Sequence, residues 1–299
     1  MIECRDVRKS FGEKQVLNCA EFIVPDKSFY ALMGTNGAGK STLMRIITGI
    51  YKPDFGTVKI DDMNAFDNDD AKRLFYFIPD STYFFKNATA KEMAIYLSSV
   101  YENFDMNAFI KYIGVFSISI DHKIRDFSKG MKRITALLLG ICSGTKYLLC
   151  DETFDGLDPV ARQSMKSLIG EAMDERGLTV LATSHNLRET EDICDHIGMC
   201  HQGRIIEQTS LDDAKMGACK IQCVFAQDDD SILDGLNILS KKRRGKLLTL
   251  VIQGDITETE NFFRAKNPIF YELLPLSLEE IFTSKMEGEG YDIKELILN

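Results

Sequence analysis

Gly34-Thr35-Asn36-Gly37-Ala38-Gly39-Lys40-Ser41 fits the pattern G-x-x-x-x-G-K-[ST], and its neighbours give the pattern its meaning. The apolar run 29–33 before it reads as a strand. After it, Leu43, Met44, Ile46 and Ile47 fall at helical spacing. Strand, glycine-rich loop and helix in that order make a phosphate cradle: glycines let successive N–H groups point at phosphate oxygens, and the helix start adds partial positive charge. The candidate contacts are Gly34, Thr35, Asn36, Gly37, Ala38, Gly39, Lys40, Ser41 and Thr42, with Lys40 reaching the terminal phosphates and Ser41 helping to hold Mg²⁺. The expected ligand is a nucleoside triphosphate.

Downstream, Tyr147-Leu148-Leu149-Cys150-Asp151-Glu152 reads as a short buried strand ending in two carboxylates. By itself such a pair is an ordinary turn. Behind a phosphate cradle it suits Mg²⁺ chemistry, with Asp151 serving the ion and Glu152 polarising the attacking water.

Between these elements lies Asp126-Phe127-Ser128-Lys129-Gly130-Met131-Lys132-Arg133, ahead of the apolar helical run 134–142. A lone Ser-x-Gly reads as a serine N-cap. In this order and spacing the segment resembles the signature motif of ABC ATPases, Leu-Ser-Gly-Gly-Gln, with Lys129 and Met131 at its third and fifth places. The resemblance implies that Ser128 and Gly130 contact the γ-phosphate held by a second subunit's cradle. Asp155-Gly156-Leu157-Asp158 resembles the family's D-loop, with Asp155 for the usual Ser. Thr183-Ser184-His185 resembles its switch histidine, which contacts the γ-phosphate. Phe11, in Lys9-Ser10-Phe11-Gly12, stands where the family stacks an aromatic ring on adenine. The resemblance runs from residue 2 to about residue 213.

Two further positions depart from the family pattern. Asp80, after the strand-like Phe75-Tyr76-Phe77-Ile78-Pro79, replaces a glutamine that senses Mg²⁺ or water, and is expected to keep an oxygen there with shorter reach. Thr153 replaces the proline after Glu152, without expected consequence.

The 299 residues suffice for one large core and a small extra domain. With 36 basic and 45 acidic side chains the net charge is −9, which argues against a general nucleic-acid partner. The dense basic run, Lys241-Lys242-Arg243-Arg244, reads as a solvated turn, and Asp228-Asp229-Asp230 as a solvated turn or helix start. The polar start Met1-Ile2-Glu3-Cys4-Arg5 carries no signal pattern. The apolar stretch 136–150 is too interrupted to span a bilayer. The eight cysteines suit a reducing cytosol. Cys194, His196, Cys200 and His201 lack the spacing of a structural zinc site, and 196–201 reads as a strand with alternating faces.

Strands and helices alternate through residue 182 in the order of a mostly parallel α/β sheet, with β-rich sequence over 2–25, a turn at Gly12-Glu13, and a further hairpin near 56–62. Helices are expected over 90–100 and 106–113, within a helical subdomain spanning about 82–144 inserted before the carboxylate strand. Beyond 213 the pattern changes to a small α+β domain, residues 214–299, reached through a polar stretch around Asp212 and Lys215. It has strands over 219–226, 247–252 and 269–274, helix-like 232–239 and 258–266, and a last helix opened by the capping box Ser277-Leu278-Glu279-Glu280.

The resemblance therefore implies a P-loop core of ABC ATPase type, ATP and Mg²⁺ as ligands, and two subunits sandwiching ATP. Lys40, Glu152 and His185 are the candidate catalytic residues; Ser41, Asp151 and Asp80 serve the metal. The implied role is the ATPase of an exporter with a separate membrane-spanning subunit, on the cytoplasmic face of the membrane. Two alternatives are a soluble ABC ATPase acting on ribosomes or DNA, whose usual doubled cores or coiled-coil insertions are missing here, and a regulatory module that binds ATP without hydrolysis.

Overall fold

The computed structural model describes residues 1–186, 190–226 and 230–288. It divides into two compact units, residues 1–208 and 209–299.

The first unit begins with an antiparallel sheet. β1 (Ile2–Phe11) and β2 (Lys14–Val24) form a hairpin around Gly12, and β4 (Phe55–Ile60) and β5 (Met63–Asn64) extend it in the order β2-β1-β4-β5. The second sheet has six strands in the order β10-β9-β3-β8-β7-β6. These are β3 (Phe29–Met33), β6 (Phe75–Ile78), β7 (Tyr147–Asp151), β8 (Thr179–Ser184), β9 (His196–His201) and β10 (Arg204–Ser210). β3 pairs in parallel with β8 and β9, and β7 with β6 and β8. Every residue of β3, β7 and β8 is buried, which explains why they read as unbroken apolar runs rather than as alternation.

α1 (Lys40–Ile47) joins the two sheets. Its Leu43, Met44, Ile46 and Ile47 share one buried cluster with Ile2, Val7, Leu17 and Phe22 of the antiparallel sheet and with Tyr30, Leu32 and Leu149 of the parallel one. Full burial of such side chains contributes about 1.5–3 kcal/mol each. The start of α1 is thus fixed from two sides, and the phosphate loop with it.

After the short α2 (Asp69–Arg73), the chain between β6 and β7 holds α3 (Ala90–Val100), α4 (Met106–Val115) and α5 (Lys129–Cys142). Each has a side-chain cap: Thr89 and Glu92 form a capping box, Asp105 accepts the Ala108 N–H, and Ser128 accepts the Met131 N–H. α6 (Pro159–Arg176) is capped by Asp158 and stopped by Gly177 in the left-handed region.

The second unit is a four-stranded antiparallel sheet, β12-β13-β11-β14, of β11 (Ala218–Val224), β12 (Asn237–Arg244), β13 (Leu247–Gln253) and β14 (Phe270–Leu274). α7 (Leu211–Met216), α8 (Ile256–Lys266) and α9 (Leu278–Gly288) accompany it. Cys219, Ile221, Leu250, Ile252 and Phe263 form its core. The expected capping box is present: the Ser277 hydroxyl accepts the Glu280 N–H, and Glu280 accepts the Ser277 N–H.

The polar stretch at Asp212 and Lys215 forms a helix, α7, capped by Ser210. Two expectations fail in this unit. The segment 232–239 is a 3-10 turn followed by the start of β12. Lys241-Lys242-Arg243-Arg244 is the exposed end of β12 rather than a turn. β12 is an edge strand, and long charged side chains there oppose pairing with other chains; the run is cationic for that reason and still extended. Of the Asp228-Asp229-Asp230 run, only the Asp230 backbone lies within the described residues.

Candidate nucleotide and hydrolysis site

The site lies where β3, β7 and β8 end, on the carboxyl edge of the parallel sheet, where open α/β sheets bind their ligands. β3 delivers the glycine-rich loop. Gly37 and Gly39 adopt φ of +79° and +109°, conformations that only glycine takes freely. Gly34 is needed for space: an added Cβ would sit 2.3 Å from the Cys200 carbonyl oxygen. The loop is braced from β9 and β10, because the Gly203 N–H and the Cys200 thiol both donate to the Ala38 carbonyl, at 2.9 and 3.2 Å. Cys200 is thereby a packing residue. None of the described cysteines forms a disulfide, and among the described residues Cys194, His196, Cys200 and His201 are not gathered into a group that could hold a metal ion.

Lys40 opens α1 and is 4% exposed. Its Nζ donates to the Gly34 and Thr35 carbonyls at 2.8 and 3.1 Å and lies 3.8 Å from Glu152. Burial lowers the pKa of this ammonium, and the facing Glu152 works against that shift. Ser41 Oγ donates to Asp151 Oδ1 at 3.1 Å. A hydroxyl beside a carboxylate oxygen is the hard-oxygen pair that Mg²⁺ prefers, so the residues fit that ion.

A residue missed by the sequence reading completes this corner. Thr183, opposite Asp151 in the β7–β8 register, donates its hydroxyl to Asp151 Oδ1 at 2.6 Å and accepts the Glu152 N–H at 3.0 Å. Glu152 adopts φ +50°, a strained conformation for a residue with a side chain. Thr183 holds it there. Its position two residues before His185, on the strand paired with β7, was the available signal.

His185, half exposed, presents Nδ1 3.3 Å from Glu152 Oε2 and 3.0 Å from Asp155 Oδ2. A cleft of about 410 Å³ is lined by Asn36, Gly37, Gly39, Lys40, Ser41, Thr42 and Glu152, together with Lys14, Gln15, Val16 and Gln202, which the sequence did not single out. Phe11 ends β1 at 45% exposure, edge-on to Tyr51 with Lys9 over its ring. Ser128 and Gly130 line a different cleft, with Met131, Leu157 and Asp158. Asp80, 60% exposed in its side chain, lies 3.7 Å from the Arg133 guanidinium on α5.

Residues 17–155 match the family described as ABC transporter. The chain is 29% identical over 289 residues to the ABC transporter ATP-binding protein YtrB of Bacillus subtilis, covering 97% of this chain and 99% of YtrB. It is also 29% identical to the bacitracin transport ATP-binding protein BcrA of Bacillus licheniformis, over 72% of this chain and 71% of BcrA. Among solved structures, an ATP-binding subunit of an ABC transporter superposes with a TM-score of 0.64 at 26% identity, covering 72% of this chain and 92% of that one. The match spans both the phosphate loop and the acidic strand end, and the similarity to YtrB runs nearly the whole length of both chains, so residues 17–155 are an ABC transporter ATPase domain.

Proposed function

We propose that this ATPase powers transport, of the export type, through a separate membrane-spanning subunit on whose cytoplasmic face it sits. No helix among the described residues is long and apolar enough to cross a membrane, and the relatives YtrB and BcrA carry ATP-binding names. Residues 1–213 act as the ATP-binding domain, with the helices of about 82–144 as its subdomain, and 214–299 as an accessory domain. Two such chains sandwich ATP. In support, Ser128 and Gly130 line a cleft apart from the phosphate loop, so a second chain is needed to bring a signature segment to each ATP.

The observation that carries the hydrolytic reading is the convergence of Lys40, Ser41, Asp151, Glu152 and His185 at one sheet edge. Phe11 is assigned to adenine, residues 34–42 to the phosphates, and Ser41, Asp151 and Asp80 to Mg²⁺ and its waters. When bound, Mg²⁺ would neutralise phosphate charge. Glu152 accepts a proton from water as the water oxygen bonds to the γ-phosphorus. The bond to the bridging oxygen breaks, its electron pair leaving with ADP, while Lys40 and His185 hold the phosphate oxygens.

Glu152→Gln should bind ATP, lose nearly all turnover and dimerise more persistently; wild-type turnover would remove Glu152 from the mechanism. Affinity capture from detergent-solubilised membranes of the source cells tests the transport role. A stoichiometric multi-span membrane protein supports it, whereas recovery solely from the soluble fraction with ribosomes or DNA proteins overturns it.

A further inference from the structure

Glu152, Asp155 and His185 each bring one donor atom to a common point, and the three atoms all lie within 4.8 Å of one another. Nδ1 of His185 is 3.0 Å from Asp155 Oδ2 and 3.3 Å from Glu152 Oε2. With metal–ligand bonds of about 2.0–2.2 Å, neighbouring ligands of an octahedral or tetrahedral ion stand about 2.8–3.6 Å apart, and both spacings fall in that range. Asp155 is 7% exposed, and its Oδ2 is buried without a hydrogen-bond partner. Its Oδ1 accepts the Ser184 hydroxyl at 2.8 Å, which fixes the carboxylate with Oδ2 toward His185. A buried carboxylate oxygen without a donor is costly, and a cation beside it removes that cost. His185 is half exposed, which leaves the cluster a path from solvent.

We propose that Glu152, Asp155 and His185 form a site for a divalent transition-metal cation, with Zn²⁺ as its probe, and that the bound ion stops hydrolysis. The inhibition rests on the roles given above to Glu152 and His185; the binding does not. To hold phosphate oxygens through Nε2, the ring carries its proton there, and Nδ1 then turns a lone pair toward two carboxylates. A second proton, on Nδ1, would point at one carboxylate only. A cation serves all three donors at once. Imidazole nitrogen with two carboxylates is a donor set that suits Zn²⁺, whereas Mg²⁺ prefers the oxygen pair of Ser41 and Asp151. The two carboxylates balance the charge of the ion, and Lys40, 3.8 Å from Glu152, is the cation that opposes it. The family pattern has serine at position 155, a neutral and weaker ligand, so the third carboxylate-type donor is a departure of this chain. While the ion is bound, Glu152 Oε2 is withheld from the attacking water and turnover stops.

The test uses Zn²⁺ itself on the full chain. Without nucleotide, competition against a chromophoric chelator should reveal a Zn²⁺ site in the wild type. Asp155→Ser, which restores the family residue, and His185→Ala should each weaken it by at least about tenfold. Co²⁺ at this site should show nitrogen and oxygen ligation without thiolate charge-transfer absorption, which separates it from the eight cysteines. In the ATPase assay, Asp155→Ser should keep turnover in Mg²⁺ alone and raise the Zn²⁺ concentration for half-inhibition by at least about tenfold. Chelation of Zn²⁺ by ATP is common to both proteins and cancels in the comparison. Should Asp155→Ser not fold, Asp155→Asn replaces it in the assay and His185→Ala carries the binding measurement. Equal Zn²⁺ affinity in the wild type and the variants overturns the site. Zn²⁺ that binds the wild type, is lost in the variants and leaves turnover untouched overturns the inhibition, and the catalytic roles of Glu152 and His185 fall with it.

Discussion

Ser41 Oγ donates to Asp151 Oδ1 across 3.1 Å, tying the start of α1 to the end of β7 over 110 positions of sequence. The hydroxyl is thus held beside the carboxylate, and in the proposed metal role it would change from donor to ligand. Ser41→Ala should fold normally yet raise the Mg²⁺ concentration for half-maximal ATPase activity by about tenfold or more. Ser41→Thr, which keeps the hydroxyl, should restore it. A Mg²⁺ titration of turnover in the three proteins checks this.

Two glycines of one loop are predicted to tolerate a methyl group differently. At Gly34 the added carbon meets the Cys200 carbonyl at 2.3 Å, and backbone packed between two strands cannot yield cheaply. At Gly37 no protein atom lies within 4 Å, and the cost is that of φ +79°, about 1–2 kcal/mol. In urea unfolding without nucleotide, Gly34→Ala should therefore lose distinctly more stability than Gly37→Ala.

That contrast also marks what the sequence makes legible. The loop, the acidic strand end, the capped helices and the parallel order are local signals, written in glycine, capping and burial patterns, and each is found where the pattern puts it. Cys200 and Thr183 are not legible in this way. One lies beneath the loop and the other opposite Asp151 because β9 and β8 are neighbours of β3 and β7, and that adjacency is a property of the assembled sheet. The misread 232–239 segment has the same origin: its apolar residues fit a helix period, but pairing with β13 draws its end, from Asn237, into an extended strand.

Asp80 is claimed by two partners. In the structure it faces Arg133 at 3.7 Å, while the proposed mechanism turns it to Mg²⁺ and its waters. If the second role operates during turnover, Asp80→Asn should raise the Mg²⁺ requirement several-fold, and Arg133→Gln, which releases Asp80, should not. Equal Mg²⁺ curves for wild type and Asp80→Asn would restrict Asp80 to the Arg133 pair.

Far from the phosphate loop, Asp61 should govern part of the acid stability. Burial raises its pKa, but hydrogen bonds from Lys146, the Met1 amino group and Tyr147 outweigh burial and hold it at about 2, against a usual 3.8. A carboxyl depressed by folding stabilises fully above its unfolded value, and that contribution disappears as the pH falls from near 3.8 toward about 2. The shift corresponds to about 2 kcal/mol as an upper bound, since the side chain is 29% exposed. Asp61→Asn should lower stability at neutral pH and flatten the dependence in that window, as read by denaturant unfolding across pH.

Thr183 makes two contacts with opposite polarity, and substitutions can separate them from simple bulk. Its hydroxyl donates to Asp151 Oδ1 at 2.6 Å and accepts the Glu152 N–H at 3.0 Å, so one atom positions both carboxylates. Thr183→Val preserves shape within the buried β8 but leaves the Glu152 N–H with only the more distant Thr183 carbonyl, at 3.2 Å, and Asp151 with one donor fewer. The loss should be about 1–3 kcal/mol of stability, with a fall in kcat because the strained Glu152 is no longer held at its φ of +50°. Thr183→Ser keeps the hydroxyl and gives up a methyl group. It should cost some stability through the lost packing and retain most of kcat. If Val and Ser variants lost turnover equally, the hydroxyl would be irrelevant and the methyl packing would be what Thr183 supplies.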